Sequence, residues 1–206
     1  MENNELTQNF IIQLRRECIK LKENDSPEKR EKLVAYMNSF LHESNISMRK
    51  IEDCAAFSRF ISDVNKTINP RDKAVVRLSQ FLWIYEVLFM PCINTLCFLL
   101  VCNDHDLWDN YNKYVNSIEE IENMVGSPKI KFLVKHKFNI MKRENDLKLR
   151  NGIAHSAYTI DDKGIIEIKN KKVNISERSV DLINFCEYFW CIYEQLWNEY
   201  VEPKQQ

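Results

Sequence analysis

The chain has 206 residues, enough for one hydrophobic core or for one core with an appended helical subdomain. Its 45% hydrophobic and 11% aromatic content excludes a disordered protein, and three Gly and five Pro are too few for the turns of a large sheet, so long helices are favoured. A net charge of −1 excludes a globally basic nucleic-acid coat protein.

Leu6, Phe10, Ile11, Leu14, Cys18 and Leu21 recur at helical spacing and predict a first helix. Asn24-Asp25-Ser26-Pro27 breaks it, with Ser26 as a cap and Pro27 at the first position of the next helix. That second helix buries Leu33, Val34, Met37, Phe40 and Leu41. A third runs from about Ser47 to Ile68 through Ile51, Ala55, Phe57, Ile61 and Val64, and Asn69-Pro70 ends it and starts a fourth. Residues 81–102 are nearly all apolar and long enough to span a bilayer, broken only by Glu86, Pro91 and Asn94. A single span would strand the amphipathic helices on either side of it. A core helix kinked at Pro91, covered by its neighbours or by a second subunit, is the better reading.

Asn103-Asp104-His105-Asp106 reads as a polar loop opening a helix rather than as a cation site. Ser117 with Glu120 forms a capping box for a short helix ending near Gly126, and Ser127-Pro128 opens a basic helical region. From Lys129 to Arg150 there are eight Lys/Arg against two acids, Glu144 and Asp146. Such a run is ordinarily a solvated face, yet it also suits the steering of a phosphate backbone. Beyond residue 155 the period changes to that of strands. Residues 157–160 and 165–168 flank Asp161-Asp162-Lys163-Gly164, and 172–175 continue the extended pattern, predicting a hairpin or three-stranded ribbon. Ser176 is the expected cap of a last helix carrying Phe185, Tyr188, Phe189, Trp190, Tyr193, Trp197 and Tyr200, a stripe that suits a core or a subunit interface.

Seven cysteines without a Cys-x-x-Cys pair sit mostly in apolar runs, as small buried hydrophobes do. No grouping has zinc-ligand spacing, and no glycine-rich phosphate loop exists, so no metal or cofactor is expected. Residues 1–5 lack the basic start and apolar core of a signal peptide, which points to a cytoplasmic protein that does not enter a membrane.

Chemistry concentrates in Leu149-Arg150-Asn151-Gly152-Ile153-Ala154-His155, at the end of a predicted helix. Cleaving a phosphodiester without a metal requires a proton-transfer group near neutral pH and a fixed positive charge for the phosphoryl oxygens. His155 supplies the first and Arg150 the second. Asn151 lies four residues before His155, on the same helix face, and is placed to set the imidazole's tautomer. Lys142, Arg143 and Lys148 are candidates for holding the substrate backbone. Plainer roles exist: an i, i+4 pair of Asp146 with Arg150, and His155 as a C-terminal cap on the helix dipole. Residues five apart also lie about 140° apart around a regular helix, so Arg150 and His155 do not share a face.

Arg150-Asn151-x3-His155 resembles the signature of HEPN domains, small all-helical domains that include many metal-independent endoribonucleases of toxin–antitoxin, abortive-infection and CRISPR systems. The resemblance implies an all-α helical bundle with a small β-hairpin before the C-terminal helix. The whole chain 1–206 would form a single helical domain, with 1–68 as an N-terminal helical subdomain and 70–201 as the HEPN-like core. It implies RNA as substrate and attack by the RNA's own 2′-hydroxyl, giving a 2′,3′-cyclic phosphate and a 5′-hydroxyl. His155 would be the general base or acid, Arg150 the charge stabiliser and Asn151 the orienter. One motif offers one good imidazole, so a homodimer sharing a cleft is expected, together with an antitoxin or other regulatory protein as partner. Tyr158 stands one residue later than in the His-x-Tyr of several such toxins, and no role is carried over to it. The alternative is a non-catalytic HEPN-like module that binds a partner protein.

Overall fold

The computed structural model describes residues 2–23, 27, 28, 31, 32, 35, 52, 53, 56, 59, 68–142 and 144–200. The Ser26 cap, His42 and the apolar positions of the expected second and third helices lie outside the described residues. The rest is mostly helical, with two small antiparallel sheets. The chain forms two compact units. The first comprises Met1–Phe40, Pro91–Arg143 and Glu187–Gln206, and the second Leu41–Met90 and Glu144–Cys186.

In the first unit, α1 (Glu2–Glu23) buries Phe10, Leu14, Cys18 and Leu21, as its spacing predicts. Phe10 packs its ring 6.0 Å from Phe138 and 5.8 Å from Phe189. The C-terminal helix reaches Tyr200 and contributes Phe189, Tyr193 and Trp197, all buried, with Tyr193 and Trp197 stacked at 15°. The aromatic stripe is therefore largely core, although Tyr188 is exposed.

The second unit holds α2 (Pro70–Ile84), and Asn69 caps it as expected, its Oδ1 accepting from the Asp72 amide at 2.9 Å. Pro70 begins a continuous helical stretch through Cys102, long and apolar enough to cross a membrane by composition, yet 78% of its most apolar window is buried inside the protein. Just before Pro91 the helix departs from α geometry. Residues Tyr85–Phe89 form a π-turn, and the Met90 amide bonds the Tyr85 carbonyl, five residues back. Pro91 has no N–H and its ring would press on the carbonyl four residues earlier, so a wider turn just before it relieves both problems. In the first unit α3 (Met90–Cys102) follows, with every residue from Cys92 to Cys102 buried, as a helix apolar on all sides requires.

Asn103–Asp106 closes a helix instead of opening one. The Asp104 amide bonds the Val101 carbonyl and the His105 amide bonds that of Leu100, with Asp104 at φ 62°. Lys137 (φ 70°) ends α5 (Gly126–Lys135) in the same 5→2 and 6→1 pattern. With three glycines in the chain, Asp and Lys occupy left-handed positions that glycine usually takes. Between these helices lies a hairpin that periodicity did not reveal, β1 (Leu107–Trp108) with β2 (Tyr114–Val115). Its strands are two residues each, too short to show alternation, and Asp109 closes the turn by accepting from the amides of Tyr111 and Lys113. The Ser117 cap of α4 (Ile118–Asn123) forms as expected, Ser117 Oγ accepting from the Glu120 amide at 3.2 Å, while the Glu120 carboxylate accepts from the Asn116 amide.

In the second unit, α6 (Glu144–Ala154) leads into a three-stranded antiparallel sheet of β3 (Tyr158–Ile160), β4 (Ile166–Ile168) and β5 (Lys171–Val173). This is the expected ribbon. Asp161 accepts from the amides of Lys163 and Ile165, and Gly164 takes φ 76°, closing the first turn. Lys169 and Asn170, at φ 50° and 61°, form a two-residue turn whose twist matches the strands. The final helix, α7, spans Ile175–Tyr200, and its cap is Asn174 rather than Ser176. Asn174 Oδ1 accepts from the Glu177 amide while its Nδ2 donates to Glu177 Oε2, a reciprocal box that an amide forms as readily as a hydroxyl.

Candidate active site

Helix α6 sorts its residues by the helical repeat. Leu149, Gly152 and Ile153 are buried, and Gly152 lies so close to Ile168 of β4 that an added Cβ would stand 2.7 Å from its Cγ2. Lys148, Asn151 and His155, spaced three and four apart, are exposed on the opposite side. Arg150 sits on the flank with its side chain about one-third exposed (34%).

The helix ends in the same way as α3 and α5. The His155 amide bonds the Asn151 carbonyl at 3.0 Å, Ser156 at φ 54° bonds Ile153, and Ala157 bonds Gly152. His155 is thus the C-cap residue, held by its backbone, and its imidazole has no hydrogen-bond partner among the described residues. The Arg150 guanidinium is held on two edges. Its Nε donates to Glu86 Oε1 at 2.6 Å and its Nη1 to Asn151 Oδ1 at 3.2 Å. The plainer pairing of Arg150 with Asp146 gives way to Glu86, 64 positions upstream on the π-turn, while Asp146 itself is buried. With both groups a third or more exposed, this ion pair contributes little stability; what it does is fix where the guanidinium lies. Asn151 Oδ1 accepts from Arg150, and no hydrogen bond joins its amide to the His155 imidazole among the described residues.

The basic run is not one continuous helix. It comprises α5, a 3₁₀ turn at Asn139–Met141 and α6, and α5 ends before Lys137 at φ 70°. Lys129 is fully buried and donates to Asn94 Oδ1 at 2.9 Å, which removes it from any solvated basic face and gives Asn94 its reason to interrupt an apolar helix. Lys142 is exposed and belongs to the first unit, whereas Lys148 belongs to the second. Arg143 lies outside the described residues.

Sequence spacing missed two features. Glu86 is the first, a lone acid in an apolar run whose partner is a lone arginine far along the chain. The second is a polar cluster in the first unit. Glu17, 2% exposed, accepts from Asn103 Nδ2 at 2.8 Å and stands 3.3 Å from His105 Nε2. Lys20 caps the same helix end by donating to the Asn103 carbonyl. The His105 and His136 rings lie 4.3 Å apart, and His136 Nε2 is buried without a hydrogen-bond partner among the described residues. Burial, then the neighbouring His105 and Lys135, hold the His136 imidazole below the usual histidine range. The folded state consequently takes up a proton there less readily than the unfolded chain, whose histidine titrates near ~6.5. Stability should fall as pH drops through that value toward the depressed folded one, and stop falling below it. His136→Gln should flatten this part of the stability profile in denaturant titrations at stepped pH; an unchanged slope would remove His136 as its source.

The buried cysteines behave as packing residues: burial, reinforced by Glu17, pushes the Cys18 thiol up to about 12. Among the described residues no three His, Cys, Asp or Glu side chains gather in a way that could hold a metal ion. The chain matches no protein-family model, no curated protein and no solved structure with which it was compared.

Proposed function

We propose that the chain is a metal-independent endoribonuclease of the HEPN type, acting in the cytoplasm as a homodimer, in a toxin or antiviral defence role and restrained by an antitoxin or regulatory protein. The observation that carries this reading is the end of α6, where an arginine clamped by Glu86 and Asn151 precedes an exposed His155 whose imidazole has no hydrogen-bond partner among the described residues. A clamped guanidinium loses little freedom on meeting a phosphate, and its Nη2 edge makes no hydrogen bond among the described residues. In the reaction the RNA's 2′-oxygen attacks the adjacent phosphorus and the bond to the 5′-oxygen breaks. One imidazole takes the 2′-hydroxyl proton, and a second, from the other subunit, gives a proton to the departing 5′-oxygen. Arg150 neutralises the charge that builds on the phosphoryl oxygens.

A second reading has an observation of its own. The Glu86–Arg150 pair gives the arginine a structural partner, which suits a non-catalytic interaction module. The two readings part on a simple assay. If the nuclease reading is right, single-stranded RNA incubated with the protein in excess chelator is cut, leaving 2′,3′-cyclic phosphate ends, and replacing the 2′-hydroxyl at the cut site by hydrogen stops the reaction. Cleavage that needs a divalent ion, or that proceeds without the 2′-hydroxyl, contradicts it.

A further inference from the structure

The second unit carries an open groove of about 700 Å³ beside α6, and its walls are basic. Lys148 lines it from α6, Lys169, Lys171 and Lys172 from the β4–β5 hairpin, and Arg178 from the first turns of α7. Glu177 and Asp181 are the acids among its lining residues, and Glu177 is engaged with the Asn174 cap. Lys169, Lys171, Lys172 and Arg178 are exposed and form no ion pair among the described residues. Cations gathered on one concave surface repel each other, and the cost is relieved by a ligand that brings several negative charges at once. Leu149, Ile168 and Val173 give the groove apolar lining as well.

We infer that this groove binds the phosphate backbone of single-stranded RNA. The inference rests on the nuclease reading for the choice of RNA, since Lys148 precedes Arg150 by two residues on the same helix and a strand in the groove would lie along α6. A concave strip of separated charges with apolar lining suits a flexible chain of phosphates and bases, whereas a membrane surface asks for a flat or convex basic face. The two-residue turn at Lys169-Asn170 fixes where Lys169 and Lys171 emerge from the hairpin, so these cations are held by backbone geometry. None of these residues was singled out by sequence spacing except Lys148.

The test is fluorescence anisotropy with a labelled, single-stranded 2′-O-methyl RNA, which lacks the nucleophilic hydroxyl and cannot be cut. The combined variant Lys169→Glu, Lys171→Glu and Lys172→Glu should weaken binding at least roughly tenfold and lower the salt dependence, log K against log salt, by about 2, as expected for three lost phosphate contacts. The neutral triple Gln variant should fall between the two, and it should melt like wild type because the side chains are exposed. Wild-type affinity in the charge-reversed protein overturns the groove. So does binding to vesicles of phosphatidylcholine and phosphatidylglycerol with none to the RNA, which would make the groove a membrane contact. Failure of the nuclease reading looks different: the groove variant then loses RNA binding while His155→Ala has no effect on any cleavage.

Discussion

Gly164→Ala should destabilise the second unit by about 2–4 kcal/mol, combining the strain of a left-handed backbone at a residue with a Cβ and the cost of forcing an atom into a packed contact. Gly164 closes the β3–β4 turn at φ 76°, a conformation that Ala adopts only at a cost. A Cβ there would also overlap the carbonyl oxygen of Pro70, the first residue of α2. A backbone carbonyl at the start of a helix cannot swing aside as a flexible side chain can, so the turn would have to lift off the helix. Gly152→Ala makes a useful contrast. Its Cβ would meet the Ile168 side chain, and the gain of up to about 1 kcal/mol in helix propensity partly offsets the crowding. Urea denaturation should therefore rank Gly164→Ala as the more damaging change. A Gly164→Ala protein within about 0.5 kcal/mol of wild type would show that the turn does not dock on Pro70.

Much of the helical framework is legible because it rests on local rules. The spacing of Phe10, Leu14, Cys18 and Leu21, the Asn69-Pro70 start and the Ser117 cap each depend on residues within a few positions of one another. The β3–β5 ribbon is legible for the same reason: Asp161 to Gly164 carries a turn signal between two short apolar runs. What stays hidden depends on distant partners. Glu86 meets Arg150 across 64 positions, and Glu17 meets Asn103 across 86. Lys129 looks like one more solvated lysine until Asn94 is seen opposite it. The ends of α3 and α5 are hidden for another reason. Left-handed C-caps are read from glycine, and here Asp104 and Lys137 fill those positions. At the candidate site the sequence identified the face that Asn151 and His155 share. It did not show that the Asn151 oxygen accepts from Arg150, whose other edge is held by the distant Glu86.

The largest functional effect should come from His155. Removing a proton-transfer group typically slows a reaction by about 10²–10⁴-fold, and His155→Ala should lower the rate of RNA cleavage by that factor. Arg150→Ala removes the charge that faces the phosphoryl oxygens and should cost on the order of 10²–10³-fold. Asn151→Ala and Glu86→Gln should cost less, since each leaves the guanidinium present and only loosens its position. His155 is exposed and makes no side-chain hydrogen bond among the described residues, so its removal should leave the melting temperature close to that of wild type. His42→Ala, at a position with no role in the mechanism, should cut RNA at the wild-type rate.

The most direct single measurement is the initial rate of single-stranded RNA cleavage by purified His155→Ala beside wild type, in chelator, with the melting temperature of each protein determined on the same preparation. A folded His155→Ala protein that is slower by at least about a hundredfold is the expected result. A folded His155→Ala protein that cuts as fast as wild type, or a wild-type protein that cuts no RNA, would contradict the nuclease assignment and leave the end of α6 a structural cap.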